Sequence, residues 1–261
     1  MFAVKGFGFL FPLSFSKTMQ ERKPLQAKAS SKKQIRSRAD IDKSKKPARS
    51  KDEQEWLDQA LMDASKNDNS PEIMRLIKAG ADAAKKDKDD WTVLLRSAAK
   101  GNTQICELII DEYRRSGGDA NDLIASKEKN NRTALHWAAL YGHIPICALL
   151  IEEYAKAGGN AKDIISAKDC IGLTPLHLAS IKGRTQTCAF LIGEYAKAGG
   201  NIKEFINSKD KDDGKTGLDW AEHEGKAQTA QFLKSIESLA NILNKEESNA
   251  FYSCFAECTS G

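Results

Sequence analysis

Apolar residues fall at helical spacing in blocks that recur along the chain. In residues 133–142, TALHWAALYG, Leu135, Ala138 and Ala139 form a narrow face of small and medium side chains. Such a face lets a neighbouring helix approach closely. Thr133 is placed to cap the amino end of this helix, and Gly142 to end it in a left-handed conformation. The next block, 144–157, places Ile144, Cys147, Leu149, Leu150 and Tyr154 on a second helical face. Pro145 lies in its first turn, where the missing amide costs nothing. Gly158, Gly159 and Asn160 stop the helix, and a turn-rich stretch through Gly172 leads to the next threonine.

The pattern repeats. Cys106, Cys147 and Cys188 are each 41 residues apart, and Tyr113, Tyr154 and Tyr195 precede a glycine pair at the same interval. Threonine-to-glycine spacing is constant in four units: Thr92/Gly101, Thr133/Gly142, Thr174/Gly183 and Thr216/Gly225. A fixed period of this size marks a stacked array that presents a surface and encloses no site. The glycine pairs follow helices and read as helix-ending caps.

Thr174-Pro175-Leu176-His177-Leu178-Ala179 and Thr133-Ala134-Leu135-His136-Trp137-Ala138 resemble the T-P-L-H-x-A signature of ankyrin repeats. A degenerate first unit from Asp58 to about Asp87 ends in Ala79-Gly80-Ala81-Asp82, similar to the family's G-A-D element. The resemblance implies an all-α ankyrin-type helical solenoid of about five repeats over residues 53–240. An N-terminal segment, 1–52, is expected to be disordered, and a tail covers 241–261. The threonines step by 41, 41 and 42 residues where the family period is near 33, so the central repeats are enlarged. The surplus falls in two places: one further turn of the second helix, and segments around 121–124, 162–165 and 203–206, each suited to a single helical turn folded back on it. The three tyrosines are expected to pack that turn against its neighbour. Terminal units lose the motif, with Leu95 and Asp219 in place of its histidine.

Charge is unevenly distributed. Residues 17–51 hold thirteen Lys/Arg against three acids, a net +10 in a chain of net +4, which leaves −6 elsewhere. This basic arm contains no aromatic residue, so contact with nucleic acid would be to phosphates; an anionic membrane is the other candidate, and a solvated linker the plain reading. No apolar run approaches the roughly 20 residues that span a bilayer. The opening MFAVKGFGFLFPLSFS has its basic residues mainly after the apolar block, which leaves a targeting signal, a peripheral anchor and a start at Met19 as open readings. Cysteines at core-facing positions point to a reducing interior, cytoplasm or nucleus. Cys254 and Cys258, four apart, lack a histidine at metal-ligand spacing. No metal, cofactor or catalysis is expected: His136 and His177 are motif residues whose role in the family is structural, and the repeated thiols sit amid Ile, Leu and Ala.

Binding is what remains. In the family the turn tips and exposed ends of the first helices form the recognition surface. Carried onto this chain, those positions include Trp91, Arg132, Leu140, Tyr141, Ile171, Leu173, Ile181 and Lys182, an apolar centre with a charged rim. A protein partner is the expectation, held by a monomer. The tail after Asn241 looks like that of ankyrin-containing effectors injected into host cells by intracellular bacteria, or else forms a closing amphipathic helix.

Overall fold

The structure is a computed structural model that describes residues 49–242. The chain divides into Met1–Ala48 and Arg49–Gly261, and only the second unit contains described residues. The basic arm's residues 17–48, the Cys254/Cys258 pair and most of the tail therefore lie outside them. Thirteen helices and no strand are present among the described residues.

The helices form five pairs: α1 (Lys51–Lys66) with α2 (Ser70–Ala79), α3 (Val93–Lys100) with α4 (Thr103–Arg115), α6 (Ala134–Tyr141) with α7 (Ile144–Lys156), α9 (Pro175–Ile181) with α10 (Thr185–Lys197), and α12 (Gly217–His223) with α13 (Ala227–Ile242). A one-turn helix follows each of the three central pairs: α5 (Ala120–Ile124), α8 (Ala161–Ile165) and α11 (Ile202–Ile206). First helices pack on first helices along the array, and second helices on second, giving two layers. Each short helix touches its own second helix and the second helix of the next pair, so the surplus residues bridge adjacent repeats.

Small side chains make the inner layer tight. Ala138 and Ala139 are fully buried beside Leu135, and Ala98 and Ala179 occupy the matching places in α3 and α9. Gly142 takes φ +84° and caps α6, accepting the left-handed geometry at little cost. Cys106, Cys147 and Cys188 are each fully buried in the outer layer, where burial pushes their thiols up to about 12. They fill space as small apolar groups and hold little thiolate.

Two details depart from the sequence expectation. The first helix starts at Lys51, with Ser50 and Glu53 forming a capping box, seven residues before Asp58. Asp58 lies inside the helix, where its carboxylate accepts the Asp82 amide at 2.7 Å and the Gln54 side-chain amide at 2.8 Å. The glycine pairs also divide their labour. Gly117, Gly158 and Gly199 take positive φ, as caps do. Gly118, Gly159 and Gly200 do not; a Cβ there would lie 2.3, 2.3 and 2.1 Å from the rings of Tyr113, Tyr154 and Tyr195. The second glycine makes room for the tyrosine. In the last of these, Tyr195 stacks on Phe205 of α11 with centroids 4.2 Å apart.

Candidate interaction surface

Each turn tip is built around one carboxylate. Asp87 Oδ1 accepts the amides of Asp89 at 2.8 Å and Trp91 at 3.0 Å. Glu128 accepts those of Asn130 and Arg132, Asp169 those of Ile171 and Leu173, and Asp210 those of Asp213 and Gly214. These four residues stand 41 apart. Burial alone would raise the Asp87 carboxyl, but the two amides and the Arg96 guanidinium outweigh it and hold it below its ordinary value. Asp210 is likewise lowered against burial, by the Trp220 indole and the tip amides.

The tips are also joined to one another. Lys129 N–H donates to Asp89 O at 3.3 Å, Cys170 N–H to Asn130 O at 2.8 Å and Lys211 N–H to Ile171 O at 2.9 Å. His136 adds a link across the stack. Its Nδ1 accepts the Thr133 amide at 3.2 Å, so Nε2 carries the proton and donates to Leu173 O of the next tip at 3.2 Å. His177 repeats this with Thr174 and Ser208 O. Both rings are structural.

On this rigid strip the inner helices place a chain of rings. Trp91 and Trp137 have centroids 4.8 Å apart; Trp137 and Tyr141 are 6.3 Å apart, Tyr141 and His143 6.1 Å. Arg96 lies over Trp91 at 5.1 Å and Arg132 over Trp137 at 5.4 Å. Asp87 holds Arg96, and Asp169 holds Arg132 through Nε at 3.0 Å, so both guanidiniums are fixed against the indoles.

The eight residues singled out from the sequence divide between surface and interior. Tyr141 is 44% exposed, and Lys182 is exposed. Trp91, Arg132, Ile171 and Ile181 are half-buried. Leu140 and Leu173, expected at the surface, are only 8% and 3% exposed. With Leu178 they form a small apolar cluster separate from the main core, covered by Trp137, Ile171, Ile181 and Trp220. The neighbouring unit buries them, so they support the ridge from below.

Sequence reasoning missed Arg96, Trp137, Leu178 and Trp220. All four stand four residues after a capping threonine, the x of L-H-x-A in the two central units, and that register was the available signal. Trp220 anchors the last unit, its indole N–H donating to Asp210 at 2.7 Å with Lys215 over the ring at 4.4 Å. Among the described residues no group of three or more His, Cys, Asp or Glu is placed to hold a metal ion. No described helix is long and apolar enough to cross a membrane.

Two family models match the chain. One, ankyrin repeats (3 copies), matches residues 61–163, and a second, ankyrin repeat, matches residues 171–203. No curated protein matches it significantly.

Proposed function

The chain belongs to the ankyrin-repeat family, and we propose that it is a non-catalytic scaffold that captures a protein partner on its turn tips and first-helix surface. The ridge running from Trp91 through Trp137 to Tyr141 carries this reading. Trp91 and Trp137 back onto the main core, Trp137 also covers the small Leu140–Leu173–Leu178 cluster, and the tips beside them are stapled through carboxylates bound to backbone amides. A preorganised aromatic patch of this kind is what an interface hot spot needs, because little side-chain freedom is lost on binding. The binding surface then comprises Trp91, Arg132, Tyr141, Ile171, Ile181 and Lys182, with Leu140 and Leu173 as its foundation. It acts as a monomer.

Replacing Tyr141 and Ile181 together by Asp is expected to abolish partner capture while leaving the helical circular dichroism unchanged. Unaltered capture by the folded variant defeats the reading.

The net +10 of residues 17–51 supports a second role, docking of the arm on nucleic acid or anionic membrane. That attachment is expected to weaken steeply with salt, whereas capture on the ridge is far less salt-sensitive. A role as an injected effector rests on the tail resemblance alone. Comparing capture by residues 49–242 with capture by the full chain separates these contributions.

A further inference from the structure

The two central repeats distribute charge in a way that narrows the partner. Their inner faces, 129–144 and 170–186, contain Lys129, Arg132, Lys182 and Arg184 and no acidic residue. The carboxylates at the base of these tips, Glu128 and Asp169, are buried and occupied by backbone amides. Lys129 pairs with Asp89 and Arg132 with Asp169, but Lys182 and Arg184 are exposed and have no ion-pair partner among the described residues. On the outer helices of the same repeats cations are matched instead. Lys156 reaches Glu152 at 2.6 Å and Glu153 at 3.0 Å, and Lys197 reaches Glu194 at 3.0 Å.

The unmatched cations sit beside the ridge. Arg184 lies over the cap glycine of α6, and His143, in ring contact with Tyr141, lies over that of α3. A polar groove of about 380 Å³, lined by Gly142, Gly183, Arg184, Thr185, Gln186 and Gln228, continues from this edge. Apolar ground made by Tyr141, Ile181 and Ile171 therefore runs directly into free positive charge.

Resting on the scaffold reading above, we propose that the ridge takes an acidic polypeptide segment: apolar side chains seated against Tyr141 and Ile181, and Asp or Glu beside them facing Lys182 and Arg184. A single-stranded nucleic acid is the poorer fit. The indoles of Trp91 and Trp137 pack against each other at a 38° tilt and each carries an arginine over its ring, which leaves little open face for bases. Opposite charges across such an edge choose the partner and set its register.

The test uses the full-length chain and a display library of random linear peptides, followed by affinity measurement on a synthetic consensus peptide. Enrichment of Asp and Glu next to Leu, Phe or Trp is expected. Lys182→Glu with Arg184→Glu is expected to weaken that peptide by about tenfold or more, and Lys182→Gln with Arg184→Gln by less. Tyr141→Asp is expected to remove binding. A basic or uncharged consensus that still requires Tyr141 overturns the acidic partner and leaves the scaffold intact. A consensus indifferent to Tyr141→Asp overturns the surface itself. A library that yields no peptide above background, or a labelled oligo(dT) that outbinds the consensus at the ridge, also overturns the proposal.

Discussion

His136 is held neutral by the stack it helps to build. Burial lowers its pKa from the ordinary 6.5 to about 4, and His177 is lowered for the same reason. The proton balance follows from that direction. Between about pH 6.5 and pH 4 the unfolded chain binds a proton that the folded chain refuses, so stability falls as the solution is acidified through this window. For His136 alone the loss from pH 7.5 to pH 5 is expected to be about 2 kcal/mol. Asp87, Glu153 and Asp210, whose carboxyls are lowered, lose their contributions only at still lower pH. Urea midpoints at the two pH values check this, and His136→Gln is expected to flatten the difference. The structural part of both motif histidines was readable from T-x-L-H, because the motif itself places the ring over its own cap. The burial of Leu140 and Leu173 was not readable, since their cover comes from side chains of an adjacent repeat.

At the scale of elements, the enlarged repeats depend on a fit between ring and backbone. Tyr154 occupies the space that a Cβ on Gly159 would need, whereas Gly158 has open space but a left-handed backbone at φ +89°. Gly158→Ala is therefore expected to cost about 1 kcal/mol through backbone strain. Gly159→Ala is expected to cost more, about 2 kcal/mol, because the ring must leave its site. Adding Tyr154→Ala is expected to remove most of the second penalty and little of the first. A double-mutant cycle by urea denaturation separates the two. The extra turns themselves were legible, since segments 121–124, 162–165 and 203–206 fall within or next to α5, α8 and α11. The division between the two glycines was not. Both residues look alike in a one-letter string, and only the constant five-residue interval from tyrosine to the second glycine distinguishes them.

For the molecule as a whole, repeats that touch only their neighbours give stability as a sum over units and the contacts between them. Four units of the stack could be inferred from the threonine spacing, and the first from its Gly80-Ala81-Asp82 element. The carboxylate at the base of each tip shares the 41-residue interval, but it is Glu in one tip and Asp in the other three and stands among other acids such as Asp89 and Asp90, which hides it from inspection. The main-chain bonds from one tip to the next have a practical outcome. Removing residues 133–173 joins Arg132 to Thr174 in register, and Lys211 N–H then finds Asn130 O where it had found Ile171 O. Such a shortened protein is expected to remain helical and to unfold in a single transition at lower urea, as circular dichroism would show. The chain is in this sense a measuring rod graduated in identical steps, whose reach can be cut by one graduation without redrawing the rest.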